Sequence, residues 1–272
     1  MSILSVEIGG RNFRIDSEQG FDLSIPLRFD GEGLSAFGAP KPVAGSFETQ
    51  GFIGDTRRGG SCNVQRYSLI PHCHGTHTEC VGHLLDEARS VCDLVRDFWI
   101  PATLLSIAGE PSALCTESYS PEPDARDTLI SKAAFDDAIG KFSSAGFQEA
   151  LIIRTLPNEP SKVTRAYSHA PYFSNDAMRA IASLPVRHLL VDLPSLDRMD
   201  DQGQLSNHRI YWGLPATGHS LPSAAPSTKT VTELIYVKNQ ILDGYYLLNL
   251  QVAPFCAEAA PSRPVIFRVQ PA

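Results

Sequence analysis

Several features are scarce or missing in this sequence, and each shortage narrows what the chain can be. No apolar run approaches the ~20 residues needed to cross a bilayer, so no membrane role is expected. No basic run occurs either, and 23 Lys and Arg against 30 Asp and Glu leave a net charge of −7. That balance disfavours a nucleic-acid partner. The opening stretch, MSILSVEIGGRNFRID, lacks the basic start and apolar segment of a signal peptide, which makes a cytoplasmic location the expectation. Six cysteines, none in a C-x-x-C pair, are too sparse for a disulfide scaffold. Most of them read as small buried thiols. Neither an internal repeat nor a low-complexity linker divides the chain, and its 43% hydrophobic content can fill a sizeable core. One domain over residues 1–272 is expected.

Periodicity places the elements. SVEIGGRNFRID reads as a hairpin turning at Gly9-Gly10. FDLSIPL is a short extended piece, and residues 31–60, rich in Gly, Pro, Ser and Ala, read as a long loop that covers something. VQRYSLIPH, FWIPATLLSIAG, EALIIRT and RHLLVDLP read as strands. Between them, SKAAFDDAIGKFSSAG and SNDAMRAIASLP carry apolar residues at helical spacing, the second behind a Ser174 or Asn175 cap. TVTELIYV, DGYYLLNLQVAP and RPVIFRVQ supply strands at the C-terminal end. The fold class predicted is α/β, a mixed sheet with a few flanking helices.

Histidine is also scarce, at eight residues, yet four fall within LIPHCHGTHTECVGH, Leu69 to His83. In an extended chain, alternation puts Cys73, Gly75, His77 and Glu79 on one face. His77 and Glu79 can then grip one metal ion, with the Cys73 thiolate as a third ligand. Nitrogen, carboxylate and thiolate are all ordinary zinc donors. Gly75 would leave space beside the ion. His83, brought back by a bend at Gly82, suits proton transfer rather than ligation. His72 and His74, on the opposite face, read as satisfied polar groups. Asp192, Ser195 and Asp197 follow a buried strand and read as turn-holding residues, or as residues that orient a liganding histidine. Phe37, Phe47 and Phe52 in the long loop are candidates for an aromatic cover.

CHGTHTECVGH resembles the signature H-x-G-T-H-x-D-x-P-x-H of the cyclase family, which includes the bacterial kynurenine formamidases. FDLSIPL, LIIRT, LLVDLPSLD, NHRIYWG and TVTELIYV are similar to further family segments. The resemblance implies a swivelling β/β/α fold and a homodimer or homotetramer. It also implies a metal-dependent hydrolase that cleaves an amide or formamide-like C–N bond of a small aromatic or cyclic substrate. Carried over, His77 and Glu79 are metal ligands, His83 is the general acid/base, and His208 and Glu233 complete a centre of one or two ions. His219 rivals His208, because the segment between His208 and Glu233 reads as an insertion. Three positions depart from the pattern: Cys73 stands at the first His, Glu79 at the Asp and Val81 at the Pro. A thiolate ligand favours Zn2+ over Mn2+. Two other readings compete. One is a catalytically silent binding or scaffold protein. The other is an enzyme with a Cys73 or Cys80 nucleophile activated by a neighbouring histidine.

Overall fold

A computed structural model describes residues 2–221 and 227–272. Strands β1 (Ile3–Ile8) and β2 (Arg11–Asp16) form the expected antiparallel hairpin, and Gly9 and Gly10 at its turn both take positive φ. Eight strands then make the central sheet. In chain order these are β3 (Gly20–Asp22), β4 (His77–Cys80), β5 (Ile100–Ala108) and β6 (Ala150–Leu156), then β7 (His188–Val191), β8 (Thr230–Glu233), β9 (Gly244–Val252) and β10 (Ala259–Arg268). Their spatial order is β9-β5-β6-β7-β8-β4-β10-β3, and pairing of β9 with β10 closes seven of them into a barrel. The run β5-β6-β7-β8 is parallel, and every other pairing in the barrel is antiparallel.

Alternation along the strands fills two layers. Ile100, Ala102, Leu104, Ala150, Ile152 and Leu190 point inward to one apolar cluster. Leu105, Ile107, Leu151, Ile153, Leu189 and Val191 point outward, where helices cover them. These helices are α2 (Lys132–Ile139), α3 (Asn175–Ser183) and α4 (Ser206–Trp212), following a single turn, α1 (Pro71–His74). Ser131 and Ser174 cap α2 and α3, each hydroxyl accepting from the backbone N–H three residues on. The hairpin closes another side of the barrel through Ile8 and Ile15 against Phe147, Leu247 and Phe267.

Two readings of the sequence need correction. Residues 31–60 are not one long loop, because Val43–Ser46 pairs with Gln65–Ser68, and Glu48–Thr49 with Phe52–Ile53. Nor does Gly75 leave open space: a Cβ there would lie 3.0 Å from the Ile25 carbonyl oxygen and 3.2 Å from Leu27 Cγ. The glycine lets this segment pack closely on the chain just after β3.

Thr76 pins the same junction. Its hydroxyl accepts from the Ile25 N–H at 2.7 Å and donates to the Leu234 carbonyl, so one buried side chain ties β4 to both the β3 exit and the end of β8. Thr76→Val would strand both backbone groups, at about 2–4 kcal/mol. A fall in Tm of roughly 5–10 °C is expected in thermal unfolding, and a fall under 2 °C would contradict the clamp.

Inside the barrel, His188 Nδ1 lies 2.8 Å from the Thr230 hydroxyl, while its Nε2 is buried without a partner. Burial pushes its pKa down to about 4 from the usual 6.5. Between these values the unfolded chain takes up a proton that the folded barrel refuses. Stability should therefore fall as pH drops below 6.5 and level off below about 4. His188→Gln, which cannot titrate, should lose roughly 2–3 kcal/mol less than the parent between pH 7 and 4 in urea titrations. Equal losses would show that His188 is not the group responsible.

Candidate metal centre

The site is built on the outer face of β4 and β8, where the two strands run antiparallel with His77 opposite Glu233 and Glu79 opposite Val231. Alternation sends Thr78 and Thr232 to the other face, where their hydroxyls bond at 2.8 Å. His77, Glu79 and Glu233 therefore project together from one patch of sheet, each almost wholly buried. From α4, His208 Nε2 reaches Glu79 Oε1 at 2.8 Å and Glu233 Oε1 at 3.4 Å. His77 Nε2 lies 3.5 Å from Glu233 Oε2. His219 is elsewhere, its Nδ1 2.9 Å from the Leu84 carbonyl oxygen. Of the segment between His208 and Glu233, residues 222–226 lie outside the described residues.

The structure does not bring Cys73 to this cluster. Pro71 opens a helical turn, so residues 71–74 are not extended and the alternation that aligned Cys73 with His77 fails one step before Gly75. The turn delivers His72 instead. Its Nδ1 lies 3.2 Å from Glu79 Oε2 and its ring centroid 4.9 Å from that of His77. His74 is structural, as expected: its Nδ1 accepts from the Ile70 N–H at 3.0 Å, and its Nε2 sits 2.9 Å from the Pro40 carbonyl oxygen.

Three triplets have their ligand atoms mutually within 4.8 Å: His72, His77 and Glu79; Glu79, His208 and Glu233; and, less buried, His72, His83 and Glu258. Glu79 joins the first two, and His72 joins the first to the third. Donor atoms around a tetrahedral zinc, at bond lengths near 2.1 Å, stand about 3.4 Å apart. The separations of 3.2, 3.4 and 3.5 Å among these side chains match that spacing, while His208 Nε2 and Glu79 Oε1, at 2.8 Å, stand at hydrogen-bond distance. His77 Nε2 and Glu79 Oε2 are buried and lack hydrogen-bond partners, as expected of atoms reserved for an ion. The chemistry of the donors, imidazole and carboxylate, fits Zn2+ or Mn2+.

Electrostatics point the same way. Despite burial, the surrounding histidines hold the Glu79 carboxyl well below the carboxylate range and Glu233 also below it. Against its own burial, His72 is raised to about 10 by Glu258 and Glu79, and His208 is raised well above its usual value by Glu79, Asp197 and Glu233. The patch demands positive charge, and protons on imidazoles supply it where no ion does. Burial lowers the His83 pKa from its usual value, while the Glu79 and Glu233 carboxylates oppose the shift. Its Nδ1 is 3.9 Å from Glu79 Oε2, and its ring lies 4.4 Å from that of His72. Burial also raises both thiols near the cluster, Cys73 and, to about 11, Cys80, whose sulfur faces the Arg89 carbonyl.

Asp197 holds His208 from behind, Oδ2 to Nδ1 at 2.7 Å, and also accepts from the Asn207 N–H at 2.8 Å, so one carboxylate orients the imidazole and starts α4. Asp192 is occupied elsewhere, taking Lys162 Nζ at 2.7 Å and the Thr155 hydroxyl at 2.8 Å. Ser195 accepts from the Asp197 N–H at 3.1 Å. A cavity of about 300 Å³ opens over Glu79, His83, His208 and Glu233, walled by Phe37, Pro194, Arg198, Met199 and Leu205. Of the three loop phenylalanines, Phe37 alone lines this cavity; Phe47 and Phe52 pack on each other with ring centroids 6.2 Å apart.

No curated protein sequence matches the chain. Among solved structures, one described as a potential metal-dependent hydrolase with cyclase activity superposes with a TM-score of 0.58 at 14% identity, covering 92% of this chain and 98% of its own. A predicted metal-dependent hydrolase from Bacillus stearothermophilus gives 0.56 at 14% identity, with the same coverages of 92% and 98%. Isatin hydrolase A from Labrenzia aggregata, bound to benzyl benzoate, gives 0.58 at 12% identity, covering 93% and 94%. These likenesses confirm the fold. The Cyclase family model, described as "Putative cyclase", matches residues 21–198, from the start of the barrel to the Asp197 loop, and the chain belongs to that family.

Proposed function

We propose that the protein is a metal-dependent hydrolase that cleaves the C–N bond of a small amide, formamide or cyclic amide. The observation that carries this reading is the convergence of His77, Glu79, His208 and Glu233 on one buried patch, with two donor atoms left unpartnered there. In this reading His77, Glu79, His208 and Glu233 hold one or two divalent ions, zinc being favoured, and His72 takes the place that spacing assigned to Cys73. A bound ion supplies Lewis-acid activation of water and of the scissile carbonyl.

The chain's own side chains do the rest. His83 faces the cavity, and burial lowers its pKa and so favours the basic form, which can take the proton from water and return it to the departing nitrogen. It suits this role because, unlike the proposed ligands, neither ring nitrogen is held by a hydrogen bond among the described residues. Phe37, Met199 and Leu205 exclude bulk water, and the cavity volume suits a compound of one or two rings. Structural likeness to an isatin hydrolase, together with the resemblance of CHGTHTECVGH to the signature found in kynurenine formamidases, supports an aromatic or cyclic substrate. A cysteine nucleophile finds less support, since burial keeps the Cys73 and Cys80 thiols protonated and no hydrogen bond pairs either with a histidine among the described residues.

Elemental analysis of the purified protein should find one or two zinc or manganese ions per chain. His77→Ala and Glu233→Ala should lose them, and His72→Ala should weaken binding at least tenfold while Cys73→Ala leaves it unchanged. His83→Gln should retain metal and lose 10²–10⁴-fold in kcat on any aryl formamide or cyclic amide the parent hydrolyses. A parent protein that holds no metal after zinc is added back would sink the hydrolase.

A further inference from the structure

The imidazoles at the cluster share a pattern that reaches past the metal patch. For His77, Nε2 faces the patch while Nδ1 lies 3.0 Å from the Gly75 carbonyl oxygen. For His208, Nε2 faces the patch and Nδ1 is held by Asp197. In both, the far nitrogen has an oxygen acceptor that holds its proton, so only the near nitrogen, which in His208 donates to Glu79, must give up a proton to offer a lone pair to an ion. His72 is turned the other way round, with Nδ1 toward Glu79 and Nε2 outward. Its outward nitrogen lies 3.2 Å from Glu258 Oε1, a residue 186 positions away in sequence.

We infer that Glu258 is a positioning residue for the metal centre: its carboxylate accepts the Nε2 proton of His72 and so presents Nδ1 to the ion beside Glu79. This inference rests on the metal-centre reading above and adds to it a carboxylate that no motif contains. Three features fix Glu258 in place. Its carbonyl accepts from the Cys80 N–H at 3.0 Å, Ala257 is tied to the Val91 N–H at 2.9 Å, and Ala259 pairs with Glu79 across β4 and β10. The turn that carries His83 makes room for it, because a Cβ on Gly82 would sit 3.2 Å from Glu258 Cβ and 2.7 Å from the Arg89 carbonyl oxygen.

The geometry also explains why a histidine one position early can serve this family's site. A ring presenting Nδ1 reaches less far from its backbone than one presenting Nε2, and it needs an acceptor on the opposite edge to hold it there. Glu258 provides that acceptor. His83, with its ring against His72, provides one flank.

The test is zinc affinity by competition with a chromophoric chelator. Glu258→Ala should weaken zinc binding 10–100-fold, and Glu258→Gln, whose amide oxygen still accepts from Nε2–H, should recover part of the loss. In a His72→Ala background, Glu258→Ala should add less than twofold, because its partner is gone. Glu258→Ala changing affinity less than twofold in the parent, or costing as much without His72 as with it, would overturn the inference. A second readout needs no metal: in ¹⁵N-histidine spectra of the metal-free protein, the His72 Nε2 proton should be protected from exchange in the parent and not in Glu258→Ala. A parent that binds no zinc yet shows this protected proton would defeat the metal centre while leaving the Glu258–His72 contact standing; an unprotected proton in the parent would defeat the contact itself.

Discussion

Two carboxylates, Glu79 and Glu233, are buried side by side on neighbouring strands, and the surrounding structure answers to that fact. Desolvating one carboxylate is costly, and desolvating two within reach of a common imidazole is untenable without positive charge between them. His208 sits between them and His72 closes on Glu79 from the other side. Behind these imidazoles stand more carboxylates, Asp197 and Glu258, which raise imidazole basicity and fix ring orientation. The result is a layered charge arrangement, acid outside, base between and acid inside. It is balanced either by protons on the histidines or by divalent ions that displace those protons.

The barrel makes that arrangement possible without loose parts. Because β4 and β8 are antiparallel neighbours, a period of two places His77, Glu79 and Glu233 on the same face in fixed register. Thr76 ties both strands to the β3 exit, so neither can slide without breaking buried bonds. At the rim the backbone is less relaxed. Leu234, directly after Glu233, has φ 55°, and Leu205, at the start of α4, has φ 47°. Phe37, across the cavity, has φ 57°. Non-glycine residues in this left-handed region store strain, and their grouping around one cavity is typical of functional sites.

Strands β5 to β10 were legible because each is a β-branched or alternating run bounded by turn residues, as in EALIIRT and TVTELIYV, whereas β4, HTEC, carries no such signal of its own. His77 and Glu79 were legible because a strand period and the family signature both point at them, His83 because the signature and a bend at Gly82 do, and His208 and Glu233 through the resemblance alone. His72 was not, since extended alternation put it on the wrong face. The available signal was Pro71, whose fixed φ favours the first position of a helix, so that IPHCH turns before it extends. The helix α4 escaped notice for a related reason: seven residues give a weak period, and it starts at a left-handed leucine without a side-chain cap. Glu258 lies in VAPFCAEAA, where nothing local distinguishes it. Its role depends on the register of β10 against β4, a contact made across most of the chain length.

The two halves of the cavity are built differently, and this separates the chemistry from the choice of substrate. His77, Glu79 and Glu233 stand on strands, and His208 on a helix whose first turn is locked by Asp197. Rigid elements hold donor atoms to the tolerance an ion requires. The opposite wall, Phe37, Pro194, Arg198, Met199 and Leu205, comes entirely from connecting segments. Arg198 is fastened there by Asp127, its Nε 2.8 Å from Oδ2. Connecting segments accept substitution and insertion where barrel strands do not. A chain only 12–14% identical to its structural neighbours can therefore retain the fold while its loops present a different wall to whatever enters.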